Sequence, residues 1–367
     1  MKRVIIAPDS FKGTLSSVEV CSIVSQELKK RYADLEIIGI PVADGGEGTV
    51  DAFLYSLGGE KVYCKVKSPL GNNITAYYGI LPDGTAVVEM AQASGIGIEK
   101  KNNALKSSTY GTGQLILNAL DRGCRNILLG IGGSATTDGG TGAVTALGGR
   151  FLNEKGESVP SGGEGLSAIH TIDLSDLDER IKKCEITVLC DVKNPLYGKN
   201  GAAYVYAFQK GANEDDVKLL DYGLENLAKV AERALKNDFS AMCGSGAAGG
   251  LGFGLVAFLG ARLMRGIDCV LQTTDFKEKC RNADLIITGE GKMDSQSLMG
   301  KVPFGVAEQS GKSRVIALVG VSEIDNTVAQ THGINEIIET NPEHFPFEKI
   351  KTVAEPMLKK ACEKIIL

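Results

Sequence analysis

The chain has 367 residues, of which 43% are hydrophobic and 23% charged, and its formal net charge at pH 7 is −5. This composition is typical of a soluble globular protein long enough for two domains, and it excludes a membrane span of roughly 18 apolar residues and a basic stripe for nucleic acid. The nine cysteines include no CxxC pair and fit reduced thiols, so we expect a cytoplasmic protein with no membrane or nucleic-acid partner.

The first part of the chain alternates strand-like and helix-like segments. The β-branched run RVIIAP (3–8) predicts a buried strand, a capping-box pattern at Ser16 and Glu19 begins a helix, and LEIIGIPV (35–42) predicts a second strand. The glycine turn ADGGEG and the helix-like TVDAFLYSLGG follow. This order predicts a parallel sheet with helices on its faces.

The middle of the chain begins with a different pattern. From about Glu60 to Met90, the short runs KVYCKV, ITAYYGIL and TAVVEM are joined by the turns PLGNN and LPDG, which predicts hairpins. NILLGI and ITVLCD then predict buried strands, and residues 214–237 predict a long amphipathic helix. From Asp284 the first pattern returns, with DLIIT, RVIALVG and EIIE as strands between helices.

The two ends of the chain look like halves of one sheet. We therefore predict two α/β domains with a cleft between them. The first is a Rossmann-like parallel-sheet domain built from residues 1–80 and 290–367, and the second is an inserted α/β domain of residues 81–289. Two consecutive domains are the alternative that remains open.

Five loops that combine a carboxylate with glycine lie at or near the carboxyl ends of predicted strands, where open parallel sheets bind ligands. They are DSFKGT (9–14), ADGGEG (43–48), GIGGSATTDGG (130–140), CDVKNPLYG (190–198) and TGEGKMDSQS (288–297). The candidate carboxylates and cations are Asp44, Asp138, Asp191, Asp294, Lys12, Lys193, Lys210 and Lys292. A single aspartate at such a turn is more often a cap than a base, but the recurrence indicates phosphoryl transfer to a small acidic metabolite.

Two glycine patterns keep a dinucleotide site open as an alternative. GIGGSA (130–135) matches GxGxxA after a predicted strand. A dinucleotide site also needs a second strand that ends in a ribose-binding acid about 20 residues further on, and the sequence offers only a poor candidate for that strand. GSGAAGG (244–250) matches GxGxxG without a clear strand before it. Its glycines fit a phosphate site at a helix N-terminus and close helix packing equally well.

Taken together, these motifs resemble the bacterial glycerate kinase family. PDSFKGTLS, PVADGGEGT, IGGSATTDGG, CDVKNPLYG, QKGA, GAAGG and TGEGKMDSQSLMGK occur in the family's order between residue 1 and about residue 320. The resemblance implies an ATP-dependent kinase that transfers the γ-phosphate, with Mg²⁺, to a hydroxyl of D-glycerate. The usual product is 2-phosphoglycerate, although 3-phosphate formation is described for some members. It also implies a role in glyoxylate metabolism, and it leaves a homo-oligomer open.

This interpretation gives each candidate residue a role. We expect Ser10, Lys12 and Asp44 to bind glycerate, and Asp191 or, second, Asp294 to accept the hydroxyl proton. Lys193 or Lys292 would offset charge in the transition state. The expected phosphate contacts are Gly132, Gly133, Ser134, Thr136, Gly246 and Gly249. Asp138 is either a metal ligand or a capping group.

Two other functional classes compete with the kinase interpretation. An NAD-linked oxidoreductase of a small hydroxy acid would explain the two glycine patterns. A non-catalytic regulator that binds a metabolite is the other class, although the sequence shows no DNA-reading helix or basic patch.

Overall fold

The computed structural model describes residues 2–367, apart from the side chain of Met299. It divides into two compact units, the first made of Met1–Asp44, Asp51–Gly58 and Gly266–Leu367, and the second of Gly45–Val50 and Gly59–Arg265. Both units are mixed α/β structures, which confirms the predicted fold class. Within the described residues, no helix is long and apolar enough to cross a membrane.

The strands and helices follow one another in the order that the sequence predicts. The strands are β1 (Arg3–Pro8), β2 (Glu36–Gly39), β3 (Glu60–Lys67), β4 (Asn73–Ile80), β5 (Ala86–Glu89), β6 (Asn126–Gly130), β7 (Arg150–Leu152), β8 (Thr171–Asp173), β9 (Glu185–Leu189), β10 (Arg262–Met264), β11 (Leu285–Met293), β12 (Arg314–Ser322) and β13 (Glu336–Glu339). The helices are α1 (Ser17–Arg31), α2 (Thr49–Leu57), α3 (Ala91–Ser94), α4 (Tyr110–Asp121), α5 (Thr141–Ala146), α6 (Ala202–Tyr206), α7 (Glu214–Leu235), α8 (Ala247–Leu259), α9 (Gly266–Thr273), α10 (Phe276–Cys280), α11 (Val302–Gln309), α12 (Asn326–Thr331) and α13 (Phe347–Cys362). Short 3₁₀ segments lie at Gly163–Ala168, Glu179–Lys183, Phe208–Lys210 and Ser297–Met299.

The first unit is built on a parallel five-stranded sheet in the order β13-β12-β11-β1-β2. β1 and β11 pair residue by residue, so strands from the two ends of the chain lie side by side in this sheet. Helix α1 begins with the predicted capping box, in which the Ser16 hydroxyl accepts from Glu19 N at 3.2 Å and the Glu19 carboxylate accepts from Ser16 N at 2.8 Å. Strand order reverses between β1 and β11, and such a reversal creates a crevice at the carboxyl ends of the strands.

The second unit contains a six-stranded sheet in the order β10-β9-β6-β5-β4-β3. Four strands, from β10 to β5, run parallel, β4 pairs antiparallel with β5, and β3 pairs antiparallel with β4. The alternating pattern of β3 to β5 therefore forms the predicted hairpins. A core of buried side chains that includes Ile116, Leu129, Leu224 and Phe253 covers the sheet.

The predicted domain boundaries at residues 80 and 290 differ from this division. β4 pairs with β5 and β3 pairs with β4, so both belong to the sheet of the second unit. The segment before residue 290 includes the first half of β11, whose pairing with β1 places it in the first unit. Periodicity predicts a strand without showing which sheet it joins. The first predicted boundary is therefore displaced by the hairpin of β3 and β4, and the second by α9, α10 and part of β11.

Candidate functional site

The crevice between β1 and β11 is lined by carboxylates. Asp9 follows β1 directly, and its N–H donates to the Gly289 carbonyl of β11 at 2.8 Å, which places it beside Glu290. The half-buried Asp9 carboxylate accepts from Ser10 N at 2.7 Å. Glu290 is only 6% exposed, and its Oε1 has no hydrogen-bond partner within residues 2–367. Buried oxygens without partners are rare in folded proteins, so this crevice is a candidate ligand site.

The charge environment of this crevice shifts two ionisation equilibria. Burial, assisted by the charges of Asp44 and Glu290, raises the pKa of Asp9 to about 7, although the Ser10 N–H and Lys12 act in the opposite direction. Burial also raises the pKa of Glu290 to about 6. Carboxyl groups that titrate near neutrality in a strand-end crevice are typical of functional sites.

Asp9 and Glu290 lie in two of the five candidate loops, but neither residue was predicted as a site residue. Their adjacency depends on the register of β1 against β11, and no local pattern in the sequence reveals that register. The sequence nevertheless contains one indication of both residues, because each lies in a loop or strand end that also carries a predicted site residue. Parallel pairing of the chain ends, once assumed, places both at the same edge of the sheet.

Three predicted substrate residues lie around Asp9. Ser10 is half-buried, whereas Lys12 and Asp44 are exposed. Ser10 contacts the Asp9 carboxylate directly, and the charges of Lys12 and Asp44 act on it. The structure therefore brings these three predicted residues together within the first unit.

Two predicted catalytic residues on or just after β11 have other partners. The Asp294 carboxylate accepts from Gln296 N at 2.9 Å, and Asp294 N donates to Ser297 Oγ at 3.1 Å, so Asp294 stabilises the turn after the strand. Lys292 forms an exposed ion pair with Glu323, with an Nζ–Oε1 distance of 2.7 Å. These contacts explain the positions of both side chains without requiring a catalytic role for either.

In the second unit, the glycine-rich loop 130–140 and the loop 190–198 leave neighbouring parallel strands. Gly130 of β6 is aligned with Leu189 of β9. Asp191 and Lys193 follow β9 by a few residues and are both exposed. The predicted proton acceptor and cation therefore lie at the same sheet edge as the predicted phosphate loop.

The backbone N–H groups of the glycine-rich loop are not equivalent. Gly132 N donates to the Gly45 carbonyl at 2.9 Å, so it is not available for a phosphate. In the described part of the chain, the N–H groups of Gly133 and Ser134 donate to no protein group. Gly133 is exposed and Ser134 is half-buried. The available donors are therefore at 133 and 134, and the expectation for Gly132 is revised.

A buried lysine holds the next part of this loop. Lys210 is 2% exposed, and its Nζ donates to Ser134 Oγ at 2.8 Å and to the Thr136 carbonyl at 2.7 Å. Burial lowers the pKa of Lys210 to about 7, while the charge of Asp138 opposes the shift. Thr136 itself is fully buried, so its side chain does not fit the predicted contact with phosphate.

Asp138 lies in the interior and is saturated with hydrogen bonds. Its carboxylate accepts from Thr109 N at 2.7 Å, Thr109 Oγ1 at 2.9 Å, Gly140 N at 3.2 Å and Gly142 N at 3.3 Å. Burial raises its pKa, although these hydrogen bonds oppose the shift. With both oxygens engaged, the geometry favours the capping alternative over the metal ligand. The described residues contain no group of three or more His, Cys, Asp or Glu that could hold a metal ion.

The glycines of the segment 244–250 allow close packing. A Cβ at Gly246 would lie 2.2 Å from the Pro195 carbonyl oxygen, and one at Gly249 would lie 2.0 Å from that of Thr136. Gly246 N also donates to the Asn194 carbonyl at 2.9 Å. Of the two explanations that the sequence left open, the contacts at Gly246 and Gly249 favour close packing over phosphate binding.

Comparison with known proteins gives a consistent result. The family model described as the glycerate kinase family matches residues 4–367. A glycerate kinase from Halalkalibacterium halodurans is 42% identical, with 100% of this chain and 97% of that protein covered. The glycerate 2-kinase of Escherichia coli K12 is 44% identical, with coverage of 91% and 89%. A crystal structure of a proposed glycerate kinase 2 from Salmonella typhimurium LT2 has a TM-score of 0.87 and 40% identity over 99% of this chain and 96% of that chain. None of these similarities supports the oxidoreductase alternative.

Proposed function

The chain belongs to the glycerate kinase family, and on this premise we propose that it transfers the γ-phosphate of ATP to the 2-hydroxyl of D-glycerate. The observation that carries the proposal is the similarity along nearly the whole chain to relatives of that activity, one of them a glycerate 2-kinase. In the reaction, the hydroxyl oxygen forms a bond to the γ-phosphorus, the bond between that phosphorus and ADP breaks, and the hydroxyl proton passes to a base.

Phosphate binding is assigned to the exposed part of the glycine-rich loop. The N–H groups of Gly133 and Ser134 have no protein acceptor within residues 2–367, and a phosphate oxygen would satisfy them. Donors that are fixed before the ligand arrives stabilise developing charge without reorganisation. Thr136, Gly132, Gly246 and Gly249 shape the loop and its neighbours rather than contact the nucleotide.

Asp191 is the proposed proton acceptor, and Lys193 offsets charge in the transition state. Both follow β9, whose end is aligned with the end of β6, where the phosphate loop begins. Both are exposed to solvent. A positioned base contributes roughly 10²–10⁴-fold to a proton-transfer step.

Binding of the glycerate carboxylate is assigned to Lys12 and Ser10 of the first unit. Lys12 is an exposed cation, and Ser10 is half-buried beside Asp9. An ammonium and a hydroxyl are suitable donors for a carboxylate.

Mg²⁺ is the cofactor that a kinase of this class implies, and the crevice between β1 and β11 fits it better than Asp138 does. Mg²⁺ is usually held by one or two carboxylates together with phosphate oxygens and water. Asp9 and Glu290 would supply those carboxylates, because Glu290 Oε1 has no partner in the described structure, whereas the Asp138 oxygens are engaged. When bound, the ion neutralises charge on the phosphate oxygens.

The proposal is tested by measuring ADP formation from Mg·ATP with D-glycerate and with two analogues. Lactate retains the 2-hydroxyl and lacks the 3-hydroxyl, whereas 3-hydroxypropionate lacks the 2-hydroxyl. We expect activity with D-glycerate and none with 3-hydroxypropionate. Absence of ADP formation with D-glycerate, together with thermal stabilisation by NADH and not by Mg·ATP, would overturn the proposal.

A further inference from the structure

Lys210 is a buried cation that has no assigned role in the proposed reaction. It ends the 3₁₀ segment Phe208–Lys210 and is 2% exposed. Burying an ammonium group is costly unless hydrogen bonds and an opposite charge compensate it. Ser134 Oγ, the Thr136 carbonyl and the nearby charge of Asp138 provide that compensation. Asp138 is the ionisable group that acts on Lys210.

The direction of these hydrogen bonds matters for the loop. An ammonium group can only donate, so Ser134 Oγ is the acceptor in its 2.8 Å contact with Lys210 Nζ. The Ser134 hydroxyl proton must then be directed away from the lysine. Ser134 is half-buried rather than enclosed, and its hydroxyl donates to no group in the described part of the chain. The hydroxyl is therefore a polarised donor without a protein acceptor.

Two further donors lie in the same short segment. The N–H groups of Gly133 and Ser134 also have no acceptor among residues 2–367. Three unused donors in two consecutive residues, backed by a buried positive charge, are a suitable arrangement for an anion. The lysine itself is too deeply buried to contact one.

We propose that Lys210 is a positioning residue for nucleotide binding, and that its charge reaches the phosphate groups through the Ser134 hydroxyl. The inference rests on the proposed function, because it takes the glycine-rich loop as the phosphate site. A lysine that only filled space would stabilise the fold and would leave the effect of Ser134 on binding independent of Lys210. A lysine that acts through Ser134 makes the two effects interdependent.

The experiment is a double-mutant cycle with Lys210→Met, Ser134→Ala and the double variant, in which the dissociation constant of ADP is measured by calorimetry. Each single variant is expected to raise the constant about tenfold, as for loss of a hydrogen bond to a charged group. The double variant is expected to be no weaker than the weaker single variant, because both changes remove the same interaction. Lys218→Met, an exposed lysine of α7 paired with Asp215, is the matched control and should bind ADP normally.

A second readout is the pH dependence of ADP binding between pH 6 and pH 8.5. Loss of the Lys210 proton in this range weakens ADP binding by the wild-type protein. ADP binding by Lys210→Met changes less over the same range, since the variant has no proton to lose at this position. Independent effects in the cycle, or identical pH profiles for the two proteins, would overturn the inference. Should Lys210→Met fail to fold, Ser134→Ala alone must weaken ADP binding and flatten the profile. ADP binding needs no glycerate, so failure of the proposed reaction would be seen separately as missing turnover.

Discussion

At the edge of the second sheet the buried Asp138 accepts four hydrogen bonds, whereas at the edge of the first sheet Asp9 accepts one from Ser10 and faces the charges of Asp44 and Glu290. Both are aspartates of the carboxylate–glycine loops that the sequence singles out, although only Asp138 was predicted as a site residue. The number of donors around a carboxylate therefore separates a structural group from one whose hydrogen bonding a ligand completes.

The largest expected effect concerns the exposed Asp191 of the second unit. Asp191→Asn should lower kcat for D-glycerate by about 10²–10⁴-fold, because the amide cannot accept the hydroxyl proton. Asp176→Asn, an exposed aspartate of the same unit, is the control and should retain wild-type kcat. Steady-state kinetics of both variants would test whether Asp191 is the base. A wild-type kcat for Asp191→Asn would place it elsewhere.

The second effect tests whether Asp138 is structural. Asp138→Asn should lower the free energy of unfolding by about 3 kcal/mol, because the amide nitrogen would face N–H donors in the interior. Urea unfolding of the wild type and the variant, without added metal, measures the change. An unchanged unfolding free energy combined with a raised Mg²⁺ requirement would instead identify Asp138 as a metal ligand.

The third effect tests the close packing of the 244–250 segment against the glycine-rich loop. Gly249 and Gly260 both have φ of +68°, but a Cβ would lie 2.0 Å from the Thr136 carbonyl oxygen at Gly249 and would meet nothing within 4 Å at Gly260. The backbone strain is shared, so Gly249→Ala should cost about 2 kcal/mol more than Gly260→Ala. Equal unfolding free energies in urea would contradict the packing role.

The smallest effect concerns Asp9 and depends on pH. Folding raises the pKa of this carboxyl group from about 4 to about 7, so between these pH values the folded state binds more protons than the unfolded state. The free energy of unfolding therefore falls as pH rises through this window. Asp9→Asn keeps an acceptor for Ser10 N and removes the titration. We expect the variant to match the wild type near pH 4 and to be about 1–2 kcal/mol more stable at pH 8. The same difference at both pH values, measured by urea unfolding, would refute the raised pKa.

Most of the fold could be predicted from the sequence, because burial makes strands such as RVIIAP and RVIALVG nearly uniformly apolar. That both chain ends contribute to one sheet could be predicted because both ends show the same alternation of strands and helices. The unit boundaries could not be predicted, since the alternation in β3 and β4 does not identify their partner sheet.

The candidate site was predicted less completely. The loops were identified from glycine and carboxylate composition, but the roles within them depend on contacts between distant segments. Gly132 N is engaged by Gly45, and Lys210 reaches Ser134 from another part of the chain. Such contacts decide which donors remain available, and neither spacing nor residue type encodes them.

Phosphorus NMR of the product formed from Mg·ATP and D-glycerate shows directly whether the 2-hydroxyl is phosphorylated. We expect ADP and a single phosphate ester whose phosphorus couples to the one proton on carbon 2, as in 2-phosphoglycerate. Coupling to two protons would identify the 3-phosphate and contradict the assigned hydroxyl. Absence of any phosphate ester, with ATP intact, would contradict the kinase assignment itself.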